Sequence, residues 1–253
     1  SRSIIKKYEE QFAKLIDSGN AVSFASGRMG FYTLMRQLGI KKDDEVIILG
    51  ATCSVMVNAI LRIKAKPIYT DIDLDTFGSC AKKIKNKITT KTKLIVAQHS
   101  FGIPCKIDKI VKLAMENNIF LLEDCALTFD SSFKGMNVGN FGDAALFSSD
   151  HSKPINTMIG GIIYSKNFFL IKALRALEEN LHELPIVKKK SLWSRFLFEK
   201  YFYNPKWFGM KNIFELLFTL FLKISKYPTP FLDNEFCSKI MISKYKYPSK
   251  LPA

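Results

Sequence analysis

At 253 residues, 47% hydrophobic and 24% charged, the chain can bury a full core as one large globular domain or two small ones. Its formal charge of +15 would suit nucleic acid, an anionic membrane or anionic metabolites. The lysines are spread over the whole length (Lys6-Lys7, Lys41-Lys42, Lys82-Lys83, Lys188 to Lys190) with no nucleic-acid-binding motif, so a generally basic surface is expected rather than a duplex-reading face.

In chain order, apolar residues at helical spacing (Ile5, Tyr8, Phe12, Leu15) predict an amphipathic helix over Ile4–Leu15. A short strand, Ala21–Phe24, breaks at Ser26-Gly27 and enters a second helix reaching Leu38. A strand that turns into a helix this way leaves backbone N–H groups and the positive end of the helix dipole facing one place, which suits phosphate. A plain helix capped by Ser26 reads equally well from this segment alone. There follow a strand at Glu45–Leu49, a helix at Ser54–Ile63, a strand at Pro67–Tyr69, a helix at Cys80–Ile88 and a strand at Lys93–Gln98. A helix at Ile107–Asn117 then leads to a strand at Ile119–Leu122 ending in Glu123-Asp124. This alternation predicts an α/β domain with a largely parallel sheet, whose binding crevice lies at the carboxyl ends of the strands. His99, Asp124 and the loop after Phe147 all fall at such ends.

That loop is the focus of the chain. Ala144–Phe147 reads as an apolar strand, and Gly160-Gly161 opens another; between them lie Ser148, Asp150, His151, Ser152 and Lys153. A free lysine has a pKa of about 10.4 and is no nucleophile at neutral pH, but desolvation and neighbouring charge can make a Schiff-base lysine of it. Taken alone, Lys153 reads as readily as a loop lysine reaching solvent. Asp124 is the second decisive residue, because a carboxylate at the end of a buried strand needs a cationic or hydrogen-bonding partner. A protonated pyridine nitrogen would be one, and a strand-end aspartate capping the next turn is the ordinary alternative. Side-chain alternation sends Glu123 to the opposite face. The glycine-rich stretch Ser132–Asp143 reads as a hairpin and loop feeding the lysine strand.

Five cysteines (Cys53, Cys80, Cys105, Cys125, Cys237), odd in number and without CxxC spacing, indicate neither a disulfide framework nor a zinc site, and no metal is expected. Ser1–Gly19 has no apolar signal-peptide core, and the apolar run Ile213–Ile224 falls short of the ~20 residues that span a bilayer; the expected location is cytoplasmic.

These segments together resemble the DegT/DnrJ/EryC1/StrS family of pyridoxal-phosphate-dependent sugar aminotransferases. The resemblance runs from about Ile5 to Lys166 through ASGR at 25–28, DDEVIIL at 43–49, KPIYTDID at 66–73, HSFG at 99–102, LLEDCA at 121–126, FKGMNVGNFGDAALFS at 133–148 and the lysine loop. It implies a fold type I large domain, a mostly parallel mixed sheet sandwiched by helices, over residues 1–180. Residues 181–253 would form a helical, aromatic- and lysine-rich appendage leading to a small domain absent from this sequence, which makes the chain look C-terminally truncated. The implied cofactor is pyridoxal 5′-phosphate, with Lys153 as its Schiff-base lysine and proton shuttle and Asp124 at the pyridine nitrogen. Gly27, Arg28 and Ser148 would hold the phosphate, and Cys53 stands where an aromatic usually stacks on the ring. Leu127 replaces a common glutamine, and Ser149, Asp150 and His151 replace aromatic and proline residues.

The implied reaction moves an amino group from an amino acid, usually glutamate, to a nucleotide-linked keto-sugar in a homodimer, for polysaccharide or glycoside biosynthesis. Some relatives replace the lysine by histidine and dehydrate the sugar; Lys153 argues against that here. A dehydratase-like chemistry and a non-catalytic, regulatory or membrane-associated member remain the alternatives, the last because aromatic and lysine residues alternate from Trp193 onward.

Overall fold

The computed structural model describes residues 2–202, positions 209, 213 and 217, and 247–252. Most of the run Ile213–Ile224, the YPTPFL turn and Cys237 lie outside the described residues. Helix α1 (Arg2–Ile16) and strand β1 (Asn20–Phe24) lead to α2 (Gly27–Gln37), β2 (Glu45–Leu49), α3 (Ser54–Arg62) and β3 (Lys66–Thr70). Then come α4 (Ala81–Lys85), β4 (Thr92–Gln98), α5 (Ile107–Glu116), β5 (Phe120–Asp124) and the small hairpin β6 (Ser132–Phe133) and β7 (Met136–Asn137). Strands β8 (Ala144–Ser148) and β9 (Gly161–Ser165) and helices α6 (Phe168–Glu178) and α7 (Ile186–Phe202) complete the described elements.

Seven strands form one sheet in the order β1-β9-β8-β5-β4-β2-β3. Every neighbouring pair from β3 to β8 is parallel, and β9 alone runs against both of its neighbours. This is the mostly parallel mixed sheet that the α/β alternation predicts. Side chains alternate across it, so one face takes Val46, Ile48, Leu94, Val96, Leu122 and Leu146 into a core with α2, α3 and α6. The other face takes Ile47, Ile95, Ala97 and Leu121 against α4 and α5, and Ala145 and Phe147 against Phe12 and Ile16 of α1. Strands buried on both faces read as continuous apolar runs, as EVIIL and AALFS do here. Each such Leu, Ile or Phe contributes about 1.5–3 kcal/mol by leaving water.

Among the element ends that differ from the sequence expectation, three bear on packing or on the site. Helix α4 ends at Lys85, and the chain tightens into i→i−3 turns, Lys87 N–H to Ile84 O at 2.8 Å and Ile88 N–H to Lys85 O at 3.4 Å, that still bring Ile88 against the core. Helix α6, for which the apolar spacing predicts Phe168–Leu181, ends at Glu178, with Asn180 and Leu181 closing i→i−3 turns behind it. Strand β5 continues through Asp124, which pairs with Gln98 of β4 and accepts the His99 N–H at 3.1 Å.

Residues 247–252 return across the start of α2. Ala25 N–H donates to Ser249 O at 3.1 Å, and the Tyr247 hydroxyl donates to Arg28 O at 3.0 Å. The ring of Tyr247 lies under the Arg62 guanidinium at 4.0 Å and edge-on to Tyr32.

Candidate active site

Asp124, Leu122 and Leu146 share the α2 face of the sheet, and Ser148 follows Leu146 by two residues, so it emerges on the same side. Parallel strands place all their carboxyl ends at one edge, where α2 and α3 begin. A cleft of about 350 Å³ opens there. It is lined by all six residues expected of the site: Gly27, Arg28, Cys53, Asp124, Ser148 and Lys153. Its volume falls within the roughly 300–1,000 Å³ of small-molecule sites.

The mouth of α2 is built for close approach. Strand β9 passes so near it that a Cβ on Gly161 would lie 2.1 Å from the Gly27 nitrogen, which fixes glycine at 161. A Cβ on Gly27 would lie 3.6 Å from the Ser148 Cβ. The N–H groups at 27 and 28, in the first turn, have no intrahelical acceptor. Ser26 occupies the N-cap position but makes no side-chain cap bond; its hydroxyl oxygen is buried without a partner and lines the cleft. The side-chain capping alternative therefore fails, and the hydroxyl faces the cleft with its hydrogen-bonding capacity free.

Asp124 is buried, and the one hydrogen bond its carboxylate receives among the described residues is from Ala126 N–H at 3.0 Å. Desolvation pushes its pKa up, opposed by that bond and by the positive field of Lys153. A cation against this carboxylate would reverse the penalty. Lys153 stands on a loop, residues 149–160, closed at its neck: Ser149 N–H donates to Gly160 O at 3.0 Å and Thr157 N–H to Ser149 O at 3.0 Å. Lys153 N–H donates to Asp150 O at 2.9 Å, which turns the side chain into the cleft beside Ser152 and Asp150. His151 is not among the lining residues; its N–H and Nδ1 both meet Asp150 Oδ1, at 2.8 and 3.0 Å. Cys53 is exposed at the start of α3, and Leu127 faces the same cleft, half-exposed.

Three lining or supporting features escape sequence reading. Gln98 donates from Nε2 to Ala51 O at 3.2 Å and to Ser100 Oγ at 3.1 Å, tying together two loops of the rim. Phe101 adopts φ 55° in the turn Ser100–Ile103, a left-handed conformation that costs a bulky residue about 1–3 kcal/mol. Glu123, on the far face of β5, is fully buried and accepts four donors: Gly139 N–H at 2.9 Å, Phe141 N–H at 2.7 Å, Gly142 N–H at 2.8 Å and His99 Nε2 at 3.1 Å. The His99 Nδ1 accepts Cys105 N–H at 3.1 Å, which assigns the ring proton to Nε2. The signal for Glu123 was the alternation that sends it away from Asp124; its partners lie 16 to 24 positions away and leave no local pattern.

His99, Glu123 and Cys125 bring potential metal ligands within 4.8 Å of one another. Both histidine nitrogens and both carboxylate oxygens are already engaged, and burial with the Glu123 charge pushes the Cys125 thiol well up. The cluster is a hydrogen-bonded core network.

Sequence comparison matches residues 3–201 to the DegT/DnrJ/EryC1/StrS aminotransferase family. The chain belongs to that family. It is 39% identical over 163 residues to a GDP-perosamine synthase of Escherichia coli O157:H7, covering 64% of this chain and 45% of that protein. It is 30% identical over 214 residues to the spore coat polysaccharide biosynthesis protein SpsC of Bacillus subtilis, covering 84% and 54%. Among solved structures, an aminotransferase from Psychrobacter cryohalolentis superposes with a TM-score of 0.67 at 30% identity, over 69% of this chain and 45% of that one. An E. coli GDP-4-keto-6-deoxy-D-mannose-3-dehydratase with bound hydrated pyridoxal phosphate gives 0.64 at 29% identity, over 69% and 46%. The fold is that of the fold type I aminotransferase large domain. The chain spans about half the length of the curated relatives it matches.

Proposed function

We propose that the chain is the cofactor-binding large domain of a pyridoxal-phosphate-dependent enzyme that moves an amino group from an amino acid, glutamate by preference, to a nucleotide-linked keto-sugar. The observation that carries the reading is the convergence of Lys153, Asp124, Ser148 and the start of α2 on one cleft. The residues fit the cofactor. An unpartnered buried hydroxyl at Ser26 and the first-turn N–H groups at 27 and 28 suit its phosphate, and a buried, singly bonded carboxylate at Asp124 suits its ring nitrogen.

When bound, pyridoxal 5′-phosphate supplies an aldehyde and an electron-withdrawing ring. Lys153 would hold that aldehyde, and its Nζ would carry a proton at the substrate's α-carbon as general base and acid. Asp124 would pair with the ring nitrogen and favour its charged form. Ser26, Gly27, Arg28 and Ser148 would hold the phosphate. Cys53 would offer the ring a smaller, softer contact than an aromatic. Leu127, Leu146, Val55 and Met56 give the cleft an apolar wall beside these groups.

Dehydratases are among the structural neighbours. Retention of a lysine at 153 favours amine transfer over dehydration. The full-length protein, loaded with pyridoxal phosphate and glutamate and then given GDP-4-keto-6-deoxymannose, is expected to release an amino sugar, read by mass spectrometry. A deoxygenated keto-sugar instead would sink amine transfer as the reading. Asp124→Asn, which cannot balance a charged ring nitrogen, is expected to slow amine withdrawal from glutamate by about 10²- to 10³-fold in stopped-flow absorbance. An unchanged rate would remove Asp124 from its role.

Residues 1–180 are proposed as the large domain and 181–253 as an appendage leading to the rest of a longer protein, which would act as a homodimer. Among the described residues, no helix is long and apolar enough to cross a membrane.

A further inference from the structure

We infer that Phe101 is a substrate-binding residue whose exposed ring stacks on the nucleobase of the sugar-nucleotide acceptor, an inference that rests on the proposed aminotransferase reading. The turn is closed by Ile103 N–H donating to Ser100 O at 2.9 Å, with φ 55° at Phe101 and 83° at Gly102. Left-handed values at both central positions define a type I′ turn, which favours Asn, Asp or Gly at the place Phe101 holds. Local preference therefore opposes this residue. Core packing does not explain it either, because the side chain is 77% exposed.

The strained conformation is nonetheless held from several sides. Ser131 Oγ donates to Gly102 O at 2.9 Å, and Gln98 Nε2 donates to both Ser100 Oγ and Ala51 O. A bulky residue kept against its preference by a purpose-built frame, at the rim of a ligand cleft, points to a ligand contact. The ring lines the same cleft as Lys153, Asp124 and Cys53. Its exposure places it at the mouth, whereas Asp124 is buried at the floor. A substrate whose reacting carbon is at Lys153 presents its remote end to the mouth. For a nucleotide-linked sugar that end is the base, and every base has a flat face on which an aromatic ring can stack.

The test uses the full-length, cofactor-loaded protein, titrated calorimetrically with GDP, UDP and dTDP, with thermal unfolding read in parallel. Phe101→Asn keeps the left-handed turn and removes the ring; Phe101→Trp keeps a stacking surface. The expected result is that Phe101→Asn weakens the best-bound nucleotide at least tenfold while melting at the same or a higher temperature, and that Phe101→Trp stays within about threefold of the natural protein. Unchanged nucleotide affinity in Phe101→Asn would overturn the inference, as would a lower melting temperature or dissociation of the oligomer, which would make the ring a packing anchor. Absence of binding by the natural protein to all three nucleotides would overturn it too. Cofactor absorbance recorded on the same samples separates the two ideas. Nucleotide binding without cofactor binding leaves Phe101 standing and defeats the aminotransferase reading, and the opposite pattern does the reverse.

Discussion

Lys153→Ala is expected to lower amine transfer by at least about 10³-fold, because in the proposed function the side chain would both hold the cofactor and move the proton at the substrate's α-carbon. The loop that carries it is tied at its neck through Ser149, Thr157 and Gly160, all away from the Nζ, so the truncation leaves the loop's own hydrogen bonds in place. The Thr157 hydroxyl donates to Ser149 Oγ at 2.8 Å, and a Cβ added at Gly160 would come within 2.3 Å of that same oxygen, so the neck tolerates no other packing. Stability is therefore expected to change little on Lys153→Ala, within about 0.5 kcal/mol as for partly exposed positions free of such features. Turnover measured beside a thermal melt checks both halves. Activity within tenfold of the natural protein would remove Lys153 from the chemistry, and a large loss of stability would make the activity result uninformative about it.

Glu123→Ala is expected to destabilise the fold strongly, by about 3–5 kcal/mol, from the face of β5 opposite Asp124. The carboxylate is fully buried and receives three backbone N–H groups from residues 139–142 and the His99 Nε2 proton. Truncation strands all four donors, and each buried unsatisfied group costs about 1–3 kcal/mol before relaxation. The loop it holds leads directly into β8, the strand that delivers Ser148 and the lysine loop, and Glu123 itself precedes Asp124 on β5. Glu123→Gln is expected to cost less, since its oxygen can still accept from Phe141 and Gly142 while its amide opposes Gly139 N–H and His99. Urea unfolding ranks the two variants. A cost below about 1 kcal/mol for alanine would show that the network is water-supported rather than sealed.

Much of the fold was legible because its strands are buried on both faces. Runs such as EVIIL, LIVA and AALFS are too apolar and too short for helices, and the amphipathic segments between them carry helical spacing. The antiparallel placement of β9 was not legible, since strand direction leaves no mark on a run like GIIYS. Helix ends were read long beyond Lys85 and Glu178, where Ile88 and Leu181 keep the apolar spacing and still pack on the core but lie in i→i−3 turns rather than the α-helix. At the site, strand ends brought Asp124 and Lys153 into view, because a charge beside a buried strand is conspicuous. The start of α2 was read equally as a phosphate site or as a helix capped by Ser26, and only the geometry of the Ser26 hydroxyl decides against the cap. Phe101 escaped, and of Glu123 only its face was read, not its network. The function of the first lies in its φ angle, and that of the second in partners remote in sequence.

The most direct measurement is borohydride reduction of the full-length protein after incubation with pyridoxal phosphate, followed by proteolysis and mass spectrometry of the peptides. The account predicts loss of the cofactor's absorbance and a stable pyridoxyl group on the peptide containing Lys153, and on no other lysine despite the many the chain carries. A label scattered over surface lysines, or absent from the 149–160 loop, would contradict it.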